Sequence, residues 1–137
     1  MNIQMIGIDH TTAPVEIREK FSFTTKVQAA LMEQAAALPG VLGVILLSTC
    51  NRTELWVHCR PDVEPPLCDC ICQIAGTGTE QYRDRFRSRR GEEAVAYLFG
   101  MTSGLRSQIF GEDQILTQVK EALDKARTAL HTDTVLE

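Results

Sequence analysis

The sequence predicts an α+β domain in which two helices cover one face of an antiparallel sheet and two further helices follow. Three observations support this class. Short apolar runs alternate with helical patterns, these elements follow the order strand, helix, strand, strand, helix, strand, and the composition is that of a globular protein. The chain has 137 residues, of which 44% are hydrophobic and 23% charged, so one core of ordinary size is available. The net charge of −4 argues against nucleic-acid binding over the whole surface, so any RNA contact must be local.

The first half of the chain predicts a strand, a helix and two more strands. Apolar residues alternate over positions 1–9, and Thr24 or Thr25 can then cap a helix that ends at Pro39-Gly40. A continuous apolar run over 41–47 is short enough for a buried strand, and the segment around Trp56 predicts the next one. The polar segment 48–54 between them is longer than a hairpin turn needs.

The second half predicts a helix, a strand and two further helices. Pro65-Pro66 can open a helix that Gly76 closes, and residues 82–89 then alternate with period two. The resulting order is the ferredoxin-like βαββαβ arrangement. Helical patterns follow over 91–102 and 115–130. We expect a ferredoxin-like catalytic subdomain over 1–90 and a helical extension over 91–135, while residues 136–137 are typical of a cloning-site remnant before a tag.

The chain lacks an apolar run of about 18 residues and a signal-peptide layout, so we expect a cytoplasmic protein without a membrane contact. Its five cysteines, an odd number, include Cys68, Cys70 and Cys72 and favour reduced thiols over a disulfide framework. On a helix Cys70 points about 200° away from Cys68, so the three cannot bind one metal ion. Packing is the favoured interpretation, and we expect no metal.

Cys50 lies in the polar segment, two residues before Arg52. A nearby guanidinium would favour the thiolate form of this cysteine and hence its nucleophilicity. A small buried core thiol is the alternative, and it is the more common environment of a free cysteine. The local sequence leaves both interpretations open.

Three motifs in a fixed order carry a resemblance to a known family. They are Gly7–Val15 with Arg18-Glu19, Ser48–Glu54, and Gly104–Ser107 with Gly111–Lys120. Together they resemble the N-terminal catalytic domain of glutamyl-tRNA reductase. The resemblance implies that the Cys50 thiolate attacks the ester between glutamate and its tRNA and forms a glutamyl thioester. It also implies that NADPH reduces this thioester to glutamate-1-semialdehyde, the first step of five-carbon tetrapyrrole (haem) biosynthesis.

The motifs that carry the resemblance contain candidate substrate-binding residues, and their side-chain chemistry suits that role. Arg52 suits a two-point contact with a glutamyl carboxylate. Hydrogen bonds to the ammonium group and the reacting carbonyl could come from Thr49, Thr53, Ser107, Glu112 and Gln114. Glu112 is equally explained as a carboxylate at a helix N-terminus, and Gln114 as a solvated helix residue. His10 could reach the site from the end of the first strand or bond its own backbone.

The chain departs from the family pattern at three positions. Tyr97-Leu98 stands where the family usually has His-Leu, so an imidazole near the thiol is absent and Tyr97 is a candidate site residue. Arg106 stands where aspartate is usual, and Asp113 where proline is common. The first departure leaves the proton-transfer scheme unassigned.

Alternate arginines mark the predicted fourth strand. Arg83, Arg85, Arg87 and Arg89 would share one face of it, with Arg90 beside them. This pattern is interpreted either as phosphate contact with tRNA or as edge-strand charge that prevents aggregation.

The sequence shows no dinucleotide-binding fingerprint, because Gly76-Thr77-Gly78 follows a helix and lacks a third glycine. The resemblance therefore implies that NADPH binds to a domain absent from this chain. It further implies a full-length homodimer with a separate dimerisation domain and hand-over of the product to the glutamate-semialdehyde aminomutase. The alternatives are a non-catalytic aminoacyl-tRNA binding or regulatory module that retains the fold, and a generic ferredoxin-like interaction domain.

Overall fold

The computed structural model describes residues 2–49 and 51–102. Its elements, in chain order, are β1 (Ile3–Asp9), α1 (Val15–Arg18), a 3-10 turn (Glu19–Phe21), α2 (Thr25–Ala36), β2 (Val41–Ser48), β3 (Arg52–Cys59), α3 (Leu67–Ile74), a second 3-10 turn (Arg83–Arg85), β4 (Arg87–Arg90) and α4 (Gly91–Thr102). The predicted α+β class is confirmed. No helix within these residues is long and apolar enough to cross a membrane.

The four strands form one antiparallel sheet in the order β2-β3-β1-β4. This is the ferredoxin-like order, in which α2 joins two parallel strands that have β3 between them. In the register of the sheet, Asp9 lies opposite Arg52, and Gly7 lies opposite Glu54 on one side and Arg87 on the other. The end of β1 and the start of β3 therefore meet at one corner of the sheet.

Side chains that alternate along the strands give the sheet two different faces. The core face packs against α2 and α3 and consists of Ile6, Ile8, Val44, Leu46, Leu55 and Val57. The opposite face packs against α4 through Ile3, Met5, Leu47 and Trp56. We call it the polar face, because Arg52 and Glu54 also lie on it and contact α4.

Local signals explain the two helices of the core face. The Thr24 side chain caps α2 by accepting a hydrogen bond from the backbone N–H of Val27 at 3.3 Å. Helix α3 begins directly after Pro66, and it ends before Gly76, whose φ of 76° is accessible to glycine at no steric cost. Both helices lie where the sequence predicts them.

The predicted fourth strand over 82–89 is wrong in its first half. A 3-10 turn occupies Arg83–Arg85, and β4 begins at Arg87. The reason is that Tyr82 and Phe86 both pack edge-on against Phe21, with ring centroids at 5.5 and 5.0 Å. In a strand these two residues would lie about 13 Å apart, too far for both to contact one ring.

The structure adds two details around the first strands. Most of the polar segment 48–54 belongs to the strands themselves, because β2 continues to Ser48 and β3 begins at Arg52. Helix α1 is not predicted at all, since its four residues are too few to show a helical period.

Candidate functional site

A tight turn joins β2 to β3 around the predicted nucleophile position. The Thr49 N–H donates to the carbonyl oxygen of Arg52 at 2.8 Å. The Thr49 hydroxyl oxygen accepts hydrogen bonds from the N–H groups of Asn51 and Arg52, both at 3.2 Å. Thr49 therefore uses its hydroxyl oxygen to shape the turn. Cys50 lies outside the described residues.

The segment that follows β1 contacts this turn and the strand after it. At the end of α1, Arg18 Nη1 donates to Asn51 Oδ1 at 3.3 Å. The Thr53 hydroxyl donates to the carbonyl oxygen of Phe21 at 2.8 Å, and the Phe21 ring is completely buried. Thr53 thus points to the core face, away from Arg52. Sequence reasoning missed Arg18, whose only signal is its place in the first motif.

A buried cluster of polar side chains joins β3 to α4. The Tyr97 hydroxyl donates to Glu54 Oε2 and accepts a hydrogen bond from Arg52 Nη1 at 3.1 Å. Trp56 Nε1 donates to Glu54 Oε1 at 3.3 Å, and Arg52 Nη1 lies 3.7 Å from Glu54 Oε2. Arg52, Glu54 and Tyr97 are 3%, 1% and 4% exposed. Gly7 leaves the space for this carboxylate, because a Cβ there would lie 2.8 Å from Glu54 Cγ.

The ring of Tyr97 makes two contacts of its own. It stacks on Trp56 with ring centroids 6.2 Å apart and an interplanar angle of 23°. The guanidinium carbon of Arg89 lies 3.9 Å from the centre of the Tyr97 ring, a cation–π contact. Ring contacts and hydrogen bonds together fix the direction of the hydroxyl.

Burial raises the pKa of both titratable groups that share a hydrogen bond in this cluster, Glu54 and Tyr97. It raises the pKa of Glu54, because loss of solvation outweighs the hydrogen bond from Tyr97, the charge of Arg52 and the hydrogen bond from Trp56. Burial and the neighbouring Glu54 also raise the pKa of Tyr97. Tyr97 therefore keeps its proton at neutral pH and acts as a fixed hydrogen-bond donor rather than as an acid or base.

Asp9 adds a carboxylate where β1 ends beside Arg52. Burial alone would raise the pKa of Asp9, but two hydrogen bonds from Thr11 and the charge of Arg52 outweigh it, so this pKa lies below its ordinary value. His10 is exposed in the loop that follows. The corner of the sheet thus holds an ionised carboxylate beside the buried guanidinium.

The predicted row of four arginines does not form one strand face. Arg83 and Arg85 belong to the 3-10 turn, whereas Arg87 and Arg89 lie in β4 two residues apart. Arg89 contacts Tyr97, so Arg87 also lies on the polar face. Only half of the predicted row therefore lies beside the site.

The cysteines of α3 are buried in the core, as the packing interpretation requires. Burial raises the pKa of Cys70 and Cys72, and burial together with the neighbouring Cys72 raises the pKa of Cys68 to about 12. Among residues 2–49 and 51–102, no three or more His, Cys, Asp or Glu side chains are grouped to hold a metal ion.

The structure brings together some of the predicted site residues and separates others. Arg52 and Tyr97 are in contact, whereas Thr53 points to the opposite face. Sequence reasoning missed Glu54 as a partner of Arg52, although a spacing of two residues in a strand places both on one face. The remaining predictions, Ser107, Glu112, Gln114 and the helix over 115–130, lie outside the described residues.

Known proteins are similar to this chain in sequence and in fold. A family model described as the N-terminal domain of glutamyl-tRNAGlu reductase matches residues 6–137. The chain belongs to this family. The glutamyl-tRNA reductases of Acetivibrio thermocellus and Alkaliphilus oremlandii are 39% and 37% identical to it over 137 residues, which is 100% of this chain and 41% of each relative.

A solved structure of the same family is similar to this chain in its fold. Glutamyl-tRNA reductase from Methanopyrus kandleri has a TM-score of 0.70 and 31% identity, and the match covers 98% of this chain and 30% of that one. The chain therefore spans less than half the length of these reductases.

Proposed function

We propose that this chain performs the acyl-transfer half of the glutamyl-tRNA reductase reaction, with Cys50 as the nucleophile. The observation that carries the proposal is that the family match extends across the β2–β3 turn, whose backbone is fixed on both sides of position 50. Thr49 closes that turn, and Arg18 holds Asn51. A nucleophile benefits from such fixed neighbours, because correct placement lowers the entropic part of the barrier.

In the proposed step the Cys50 sulfur bonds to the carbonyl carbon of the aminoacyl ester. The carbon–oxygen bond to the tRNA ribose breaks, and the ribose oxygen leaves as a hydroxyl after taking a proton from water, which balances the proton that the Cys50 thiol released to solvent. A thiolate suits this step because it is nucleophilic at neutral pH without an adjacent base. The thioester is also a better hydride acceptor than the oxygen ester, so covalent catalysis divides a difficult reduction into two easier steps.

We assign Arg52 to a carboxylate of the glutamyl group. Its guanidinium is 3% exposed and already paired with Glu54, so a substrate carboxylate would share this cation with an internal one. Glu54 and Tyr97 would then set the direction in which Arg52 points. The hydrogen bonds to the rest of the glutamyl group are assigned to Thr49, Ser107, Glu112 and Gln114.

The described residues do not fit a dinucleotide cofactor. The connection from β1 to α2, residues 10–24, contains no glycine, whereas the turn that holds a pyrophosphate between a strand and a helix is rich in glycine. We therefore assign NADPH binding and the reduction to glutamate-1-semialdehyde to the part of the whole reductase outside this chain, which covers 41% of its relatives. A homodimer and hand-over of the product to the aminomutase are proposed for the whole reductase.

The test is an acyl adduct on Cys50. The chain is mixed with glutamyl-tRNA, its intact mass is measured, and the modified peptide is mapped. We expect the parent and the control Cys70→Ala to gain one glutamyl group, because Cys70 is buried and its pKa is raised. Cys50→Ser should gain none. An adduct that persists in Cys50→Ser would contradict the proposal.

A second candidate is an aminoacyl-tRNA binding module without catalysis. Tyr97 favours it, because a buried tyrosine with a raised pKa cannot replace an imidazole as an acid or base. This candidate predicts that glutamyl-tRNA binds without any mass increase on Cys50, so the same experiment separates the two.

A further inference from the structure

The arginines between positions 83 and 90 differ in what they already contact. Arg83 Nη2 lies 3.7 Å from Asp69 Oδ1 and 3.6 Å from Glu80 Oε1. Arg90 Nη1 lies 2.5 Å from Glu64 Oε1. Arg89, as described above, stacks on a tyrosine ring. These three side chains have partners within the chain, and two of them have their charge balanced by a carboxylate.

Arg85 and Arg87 are different. Both side chains are exposed. Within residues 2–49 and 51–102, neither makes an ion pair or a side-chain hydrogen bond. An unbalanced guanidinium on the surface of a chain with a net charge of −4 is a local positive site on an acidic molecule. Such a site favours an anionic partner, and the guanidinium fork fits phosphate oxygens in a two-point contact.

The position of Arg87 relates this charge to the proposed site. Arg87 pairs with Gly7 of β1, and Gly7 pairs with Glu54 of β3. Two strand spacings separate Arg87 from Glu54, which is about 10 Å, and both side chains lie on the polar face. A phosphate bound by Arg87 would therefore lie near the start of β3, where the β2–β3 turn ends.

We infer that Arg87 binds a backbone phosphate at the acceptor end of a tRNA, that the unpaired Arg85 adds a phosphate contact outside this corner of the sheet, and that the carboxylate-paired Arg90 does not bind phosphate. This inference rests on the proposed function, which requires the aminoacyl ester to reach the β2–β3 turn. The phosphates nearest to that ester must then pass close to the same corner of the sheet. Arg87 is the exposed cation that β4 presents on that face.

The experiment compares single substitutions that remove the same charge from one short segment. Arg85→Gln and Arg87→Gln are the test variants, and Arg90→Gln is the matched control, because Arg90 lies in the same strand as Arg87 but points to the other face. Binding of uncharged tRNA to the full chain is measured by fluorescence anisotropy over a range of salt concentrations. We expect each test variant to bind several-fold more weakly and to lower the slope of log K against log salt by about 0.7–0.9.

The control should leave both the affinity and the salt slope within error of the parent. Equal weakening in all three variants would mean that only net charge matters and would overturn the inference. Unchanged tRNA binding in Arg85→Gln and Arg87→Gln would overturn it as well. If these variants also self-associate while their tRNA binding is normal, the two arginines protect the edge strand from aggregation instead. Because uncharged tRNA undergoes no acyl transfer, a missing Cys50 adduct would contradict the proposed function without affecting this measurement.

Discussion

The two faces of the sheet are both buried, yet they are built from different chemistry. On the core face Leu55, Phe21 and Ile71 are fully buried among apolar neighbours. On the polar face Arg52 and Glu54 are almost as deeply buried, but they form an ion pair. Apolar burial contributes roughly 25 cal/mol per Å², whereas a buried ion pair often adds no net stability. The core face therefore supplies most of the stabilising apolar burial, whereas the ion pair on the polar face fixes side-chain directions beside the β2–β3 turn.

The largest effect is expected on the core face. Leu55→Ala should lower the free energy of unfolding by about 2–5 kcal/mol, because the residue is completely buried and its truncation leaves a cavity. Urea denaturation measures the loss. No titratable partner is involved, so the loss should be the same at mildly acidic and neutral pH. A strongly pH-dependent loss would mean that the two faces are energetically coupled.

The next effect is expected on the polar face. Tyr97→Phe removes a hydrogen-bond donor from a buried carboxylate and should lower the free energy of unfolding by about 1.5–3 kcal/mol. Tyr82→Phe is the matched control, because Tyr82 is also buried but packs by its ring on the core face. We expect the control to change stability by less than about 0.5 kcal/mol. Equal losses in the two variants would show that the Tyr97 hydroxyl has no special role.

The same contrast explains how much of the fold the sequence predicts. Hydrophobic periodicity locates α2 and α3, because each presents one apolar stripe to the core face. It fails for residues 82–86, where packing of two rings against Phe21 overrides an apparent strand alternation. Elements defined by their own pattern are thus predictable, whereas those defined by a distant partner are not.

The candidate site divides in the same way. Cys50 and Arg52 are candidates from the sequence because one short motif of the family resemblance contains both, whereas the local sequence by itself leaves a buried core thiol open. The Arg52–Glu54–Tyr97 contacts are not predictable, because Tyr97 lies on a helix more than forty residues further along the chain. Sequence reasoning also predicts that a glutamate in a polar segment is exposed, since fully buried glutamates are rare. Only the tertiary structure shows that this one is buried.

A smaller effect is expected where the polar face meets β1. Gly7→Ala would place a Cβ 2.8 Å from Glu54 Cγ and 3.1 Å from the Thr53 carbonyl oxygen. Because Glu54 is held at both carboxylate oxygens, it cannot move aside freely, and we expect a loss of about 1–3 kcal/mol in the free energy of unfolding. Gly78→Ala is the control, since nothing lies within 4 Å of a Cβ there. Thermal denaturation of both variants makes the comparison, and equal stability would contradict the tight contact.

The smallest effect, and the one that tests the charge state of the polar face, is the pH dependence that Glu54 contributes. The pKa of Glu54 is raised in the folded chain, so the folded chain binds the Glu54 proton more tightly than the unfolded chain does. The contribution of this proton to the free energy of unfolding is complete below a pH of about 4, which is the pKa of a glutamate in the unfolded chain. It is lost as the pH rises through the raised pKa of the folded chain. Glu54→Gln keeps the side-chain shape but cannot titrate.

The stability of the parent minus that of Glu54→Gln should therefore fall as the pH increases from acid towards neutral. Each unit by which the pKa is raised contributes about 1.4 kcal/mol to this fall. Asp9, whose pKa is lowered and whose own effect has the opposite sign, is present in both chains and cancels in the difference to first order. Urea denaturation at several pH values gives the two curves. If the difference instead grows with pH, the attraction of Arg52 exceeds the cost of burying the carboxylate, and the ion pair stabilises the fold as well as orienting its guanidinium.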